Sequence, residues 1–182
     1  GFYLVGWHIN SIVMDTVTLN ILNNKNGHFI AKGNTNGSVS WLKSFSGSIS
    51  TSQNSLNSTI NAQNELFISG AWEGDSLMVD ALSLVNPLPG GGNYDRYIAK
   101  FDLNGNVLWL NREGGSAANN GASLQATASG GVLAFSNVLT GTSVDIDGGG
   151  TNVQGPVSLF TRYNSQGLLS WHNTIALITG TY

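Results

Sequence analysis

Asp145-Ile146-Asp147, followed by three glycines, is the one local pair of carboxylates on a flexible backbone in this 182-residue chain. A hard cation can use such a pair, but calcium takes about six to eight oxygens, and the matching segments around Asp15 and Asp80 lack the second acid. A turn role, with the carboxylate accepting backbone N–H bonds, is therefore expected at Asp15, Asp80 and Asp145, with no required cofactor and Ca2+ as the alternative. The five tryptophans suggest sugar chemistry, because indoles make stacking platforms. Trp7 and Trp72 each follow a strand near its loop and are the candidate ligand contacts. Trp41, Trp109 and Trp171 recur at one repeated position beside Val or Leu, which reads as packing.

Catalytic patterns are sparse. Glu65, Glu73, Asp75, Asp95 and Glu113 could meet in space as a glycosidase pair, yet each lies among turn residues where a solvated carboxylate is expected. His8, His28 and His172 have no metal-ligand spacing, and no Gly-x-Ser-x-Gly elbow or phosphate loop occurs. The absence of cysteine excludes thiol catalysis, cysteine-ligated zinc and a disulfide scaffold. Seven Lys and Arg against ten Asp and Glu, a net charge of −3, leave no basic stripe for nucleic acid. No apolar run is long enough to span a membrane as a helix. Charged residues are only 9% of the chain, against about 25% in a typical domain, so Asn, Ser, Thr and Gly supply the polar surface.

The elements that position these residues come from an internal repeat. His28–Trp41, Arg96–Trp109 and Ser158–Trp171 align without a gap at offsets of 68 and 62 residues. The basic residue (Lys32, Lys100, Arg162), the glycine (Gly37, Gly105, Gly167) and the tryptophan keep fixed spacing in all three. Phe2–Gly6, Leu66–Gly70 and Val132–Ser136 form a second series, and Asp15, Asp80 and Asp145 a third with a constant step of 65.

Each unit decodes into four strands. Asn36-Gly37 and Asn104-Gly105 between apolar-rich runs predict hairpins with type I′ turns, and Gln166-Gly167 a weaker version. A third strand is predicted near Ser58–Ala62 and Gln125–Ala128, and a fourth over Leu66–Gly70 and Val132–Asn137. The recurring Lys and Arg are expected on a solvated hairpin edge. Leu84–Asn93, with two prolines and three glycines, reads as loop. No stretch carries helical apolar spacing, so the chain is all-β. Four antiparallel strands repeated every 62–68 residues predict blades of a β-propeller, about 2.7 of them in this length. The repeats divide it into 1–26 (end of one blade and its outgoing loop), 27–93, 94–155, and 156–182 as the start of a further repeat.

Tyr97-Ile98-Ala99-Lys100-Phe101-Asp102-x-Asn104-Gly105-Asn106-x-x-Trp109, Leu66-Phe67-Ile68-Ser69-Gly70 and Gly141–Gly149 together resemble bacterial β-propeller repeats of the SBBP type. The resemblance covers nearly the whole chain. It implies a secreted or cell-surface protein, in some members exported by the type IX route, with no shared catalytic residues.

Propellers close with about four to eight blades, so open blade faces are expected here. They would be covered by further blades of the same polypeptide or by a partner protein. The chain begins in a strand without an initiator Met, which favours part of a longer protein. The expected function is non-enzymatic: a surface scaffold or adhesin module binding proteins or glycans. The alternatives are a glycan hydrolase or lyase on a propeller fold, and a substrate or subunit fragment within a secretion or surface assembly.

Overall fold

The structure, a computed structural model, describes residues 1–19, 26–47, 56–87, 94–115, 122–139, 142–146 and 151–176. Every regular element among them is a strand. The first group comprises β1 (Phe2–Ile9), β2 (Ile12–Met14), β3 (Val17–Leu19), β4 (Asn26–Gly33) and β5 (Val39–Phe45). The second holds β6 (Asn57–Ile60), β7 (Leu66–Trp72), β8 (Ser76–Val79), β9 (Leu82–Val85), β10 (Asp95–Phe101) and β11 (Val107–Gly115). The third holds β12 (Ser123–Ala126), β13 (Val132–Val138), β14 (Ser143–Asp145), β15 (Asn152–Gln154), β16 (Val157–Tyr163) and β17 (Leu169–Ala176).

These strands build antiparallel sheets in the orders β1-β4-β5, β6-β7-β10-β11 and β12-β13-β16-β17, and none closes on itself. The second sheet continues from β11 into β14 and β15, while β2–β3 and β8–β9 form two-stranded hairpins. The second and third sheets each join a strand pair to the hairpin that follows it, the first joins the single strand β1 to β4–β5, and in each a smaller hairpin intervenes just before that main hairpin.

The main hairpins turn differently from the expected type I′ form. Only the glycine has positive φ, at +87° for Gly37, +82° for Gly105 and +83° for Gly167; the residues before them do not. Gly105 N–H donates to the Asp102 carbonyl and Asp102 N–H to the Asn106 carbonyl, the pattern of a type I turn closed by a glycine bulge. The register slips at Lys32/Gly33, Lys100/Phe101 and Arg162/Tyr163 accordingly. A side-chain oxygen at the turn's first residue tips the choice. Asp102 Oδ1 accepts from the backbone N–H groups of Asn104 and Asn106, both at 2.8 Å, and Asn164 Oδ1 does the same for Gln166 and Leu168. Partial burial pushes the Asp102 carboxyl up, but these bonds with those from the Asn106 side chain and Gly105 hold it below the ordinary range.

The small hairpins were legible only as loops. Asp15 and Asp80 sit at their tips with φ of 53° and 50°, a left-handed backbone that Asp tolerates better than most residues. Leu84 and Val85 belong to β9, whereas 88–93 lies outside the described residues.

The core fills the spaces between sheets. Ile30 and Phe45 of the first sheet meet Leu66, Ile68, Tyr97, Ala99 and Phe101 of the second, with Leu77 and Val79 of the β8–β9 hairpin among them. Phe67, Ile98 and Trp109 on the other face of the second sheet meet Val132, Ala134 and Tyr163 of the third. Strands β7 and β10 are therefore buried along their whole length, which explains the apolar runs Leu66-Phe67-Ile68 and Tyr97-Ile98-Ala99 and leaves Asp95, Arg96 and Lys100 of β10 buried too.

Candidate functional site

A three-residue row crosses each sheet, because residues directly paired between strands share a face. In the first sheet Tyr3 pairs with Lys32, and Lys32 with Trp41. In the second the row is Phe67, Lys100 and Trp109; in the third it is Leu133, Arg162 and Trp171. The rings flank the cation: Tyr3 and Trp41 centroids lie 5.9 Å apart, Phe67 and Trp109 6.0 Å. Lys32 Nζ sits 5.8 Å from the Tyr3 centroid and Lys100 Nζ 5.4 Å from that of Phe67.

Each complete row grips the next sheet's glycine turn. Trp41 Nε1–H and Lys32 Nζ both donate to the Leu103 carbonyl, at 3.4 and 2.9 Å. One repeat later Trp109 Nε1–H donates to the Ser165 carbonyl at 3.2 Å, and Lys100 Nζ to the same oxygen at 3.4 Å and to the Gly130 carbonyl at 3.1 Å. Glycine is needed there twice over, for its positive φ and for the close indole. A Cβ on Gly105 would lie 2.8 Å from the Trp41 ring, and one on Gly167 2.7 Å from the Trp109 ring. Lys100 is buried and ion-paired to Glu65 at 2.8 Å, so the expected solvated edge is wrong at this position: the following sheet covers it.

A second contact joins the sheets at the other end of the β10–β11 hairpin. Arg96 Nε donates to Glu113 Oε2 at 2.6 Å, and Arg96 Nη2 pairs with the same oxygen, while Glu113 Oε1 lies 2.6 Å from the Tyr163 hydroxyl and 2.9 Å from Thr161 Oγ1. Both ions are fully buried at the boundary of the second and third sheets. Asp95 accepts from Arg112 Nε at 2.5 Å and from Gly115 N–H at 3.2 Å, and only glycine at 114 leaves room for its carboxylate. Burial raises the Asp95 carboxyl, against the lowering effect of Arg112. Burial likewise raises the Tyr163 hydroxyl, with the Glu113 charge adding to it. Asp95 and Glu113 are thus not the solvated turn carboxylates expected, because both lie on strands covered by neighbours. At the first boundary His28 Nδ1 and the Tyr97 hydroxyl meet at 2.7 Å. Burial, then the nearby His8, lowers His28 to about 4, so the ring is neutral at pH 7.

The expected ligand tryptophans separate. Trp7 is exposed on edge strand β1, but Trp72 is 0% exposed beneath β8–β9 and beside Tyr97, so it presents no face to a sugar. Its strand is central in its sheet, and the loop that was to leave it open folds back as a hairpin. Trp109 is 7% exposed, whereas Trp171, at the same repeat position, is 42% exposed. Asp145 lies 3.7 Å from Arg112 Nη1, and Asp147 falls outside the described residues. Among the described residues no three His, Asp or Glu side chains converge as metal ligands.

A groove of about 490 Å³ runs between β9, β11 and the third glycine turn. Its polar lining is already engaged: Asn111 Nδ2 donates to the Gly167 carbonyl at 2.6 Å and Arg112 holds Asp95. Leu84, Val85, Leu110 and Leu168 supply apolar lining, with Ser83 and Tyr163 beside them.

Arg96, Arg112 and Tyr163 were not singled out from sequence. Counting back from the Asn104-Gly105 turn would have found the first, since Arg96 and Glu113 face each other across that hairpin. Compared with known protein-family models and with curated proteins, the chain matches none.

Proposed function

We propose that this chain is part of a β-propeller that works as a non-enzymatic scaffold or adhesin-type binding module, secreted or held at the bacterial cell surface. The observation that carries it is the grip of each tryptophan and lysine on the next sheet's glycine turn, at both boundaries. A unit whose outgoing face fits the incoming face of the next is an architecture for adding sheets side by side. The carboxylates also support a structural role. Glu113 is committed to Arg96, Tyr163 and Thr161, Asp95 to Arg112, and Glu65 to Lys100, whereas a glycosidase needs two acids flanking an open cleft. The groove beside β9 favours a protein segment over a glycan, because Leu84, Val85, Leu110 and Leu168 line it and the side chains of Asn111, Arg112 and Tyr163 are engaged within the fold.

Antibody labelling of intact cells, with a turnover assay on a polysaccharide panel, tests this reading. The expected result is labelling without permeabilisation and no release of reducing ends or unsaturated sugars. Turnover that disappears in Glu113→Gln or Asp95→Asn while the β circular dichroism stays unchanged would establish the glycan-active alternative, and labelling only after permeabilisation would refute the surface assignment.

A further inference from the structure

The two outer faces of this stack are the two halves of the contact that its inner boundaries make. At one end Leu133, Arg162 and Trp171 form the third row, but among the described residues no glycine turn lies on it. Phe135 and Ile175 project from the same face of the sheet and are exposed. At the other end Gly37 has the positive φ of its counterparts, yet open space surrounds it where Gly105 and Gly167 each meet an indole. Beside that turn, Phe2 and Leu4 are 49% and 45% exposed, although Leu66 and Ile68, at the same repeat positions, are buried against the preceding sheet.

The small hairpins show the same asymmetry. β14 pairs with the end of β11, and β8 bridges through Met78 to Ser46 just beyond β5, so each extends the last strand of the sheet before it. Among the described residues the β2–β3 hairpin pairs with no other strand, and no hairpin pairs with β17.

We propose that the face of Leu133, Phe135, Arg162, Trp171 and Ile175 receives the Thr35–Ser38 turn and the β2–β3 hairpin of a second copy of this chain, head to tail. This rests on the reading of the chain as a stack of like sheets. A second copy is the occupant because it presents, in one rigid arrangement, the turn, the apolar strand and the hairpin that cover the equivalent face inside the molecule. Trp171 Nε1–H and Arg162 then donate to the Thr35 carbonyl of the partner subunit, as Trp109 and Lys100 donate to that of Ser165. A contact between two different faces repeats from copy to copy, so association gives rings or open chains in place of a two-fold pair.

Sedimentation of the 182-residue chain from low to high micromolar concentration tests the proposal. The expected result is mass in multiples of 19.1 kDa. Trp171→Ala and Thr35→Arg each weaken association at least about 30-fold, the effect of losing a hot-spot residue, while leaving the β circular dichroism unchanged. The chain has no cysteine, so Asn36→Cys/Asn173→Cys forms an intermolecular ladder under mild oxidation, and either single variant does not. A monomer at every concentration, association insensitive to Trp171→Ala, or cross-linking by a single variant overturns the proposal. A monomeric wild type in which Trp109→Ala still destabilises the fold would refute the second copy alone. No loss of stability in Trp109→Ala would refute the stacked-sheet reading beneath it.

Discussion

Trp109 and Trp171 occupy the same repeat position in two environments, which turns the chain into its own control. Trp109→Ala removes an indole that touches Phe67 and Tyr163, covers Gly167 and donates to the Ser165 carbonyl. Truncating a buried tryptophan costs about 3–5 kcal/mol, the lost transfer energy plus the cavity left behind. The lost hydrogen bond, about 1 kcal/mol net, is contained in that range. Trp171→Ala deletes a half-exposed ring and should stay near the surface norm of about 0.5 kcal/mol. Trp72→Ala, fully buried beside Tyr97, should fall with Trp109. Against a domain stability of about 5–15 kcal/mol, the contrast is easily measured. Urea unfolding at low protein concentration, followed by circular dichroism because the substitutions alter fluorescence, gives the three values from midpoints at constant slope. A Trp109→Ala loss below about 1 kcal/mol, or a Trp171→Ala loss equal to it, would show that the turn does not lean on the indole.

His28 should make stability depend on acid. Its folded pKa of about 4 lies below the ordinary 6.5, so between those values the unfolded chain binds a proton that the folded one refuses. Stability is then full above pH 6.5 and declines by about 3 kcal/mol as pH falls to 4, and His28→Asn should flatten that slope in urea titrations. Glu113→Gln leaves Arg96 buried without its counter-ion and should cost about 3–5 kcal/mol, most of it recovered in Arg96→Met/Glu113→Leu; a near-neutral single variant would contradict the burial of the pair. Gly37→Ala and Gly105→Ala both meet the left-handed backbone penalty of about 1–2 kcal/mol. Only the second also drives a Cβ into Trp41, so it should cost at least about 1 kcal/mol more by thermal unfolding.

Strands, hairpins and their recurrence were legible in the sequence because they depend on near neighbours. Asn-Gly between apolar runs places a turn wherever it occurs, and Leu66–Gly70 reads as a strand buried on both faces from its composition alone. The turn type was missed because it depends on a competition that composition does not resolve. Two residues with positive φ would have made type I′, but Asp102 and Asn164 cap a type I turn and leave only the glycine left-handed. The small hairpins were missed for a related reason: Ser76–Val85 is two four-residue apolar runs around Asp80-Ala81, too short to stand as a hairpin alone, and β8 bridges through Met78 to Ser46, just beyond β5 of the sheet before it.

By itself the sequence determined an all-β chain with a repeat near 65 residues, a basic residue, glycine and tryptophan at fixed spacing, and a composition without thiol chemistry or a basic surface. Tertiary structure alone decided which members of each repeated set are buried. Trp41, Trp109 and Trp171 have equivalent positions, yet only the first two meet a glycine turn, because the turn comes from the following sheet and not from their own. The same holds for Lys100, Glu113 and Asp95, which local composition marks as solvated and neighbouring strands bury. Local propensity acts over a few residues, whereas burial at these sites depends on partners 17 to 65 residues away along the chain.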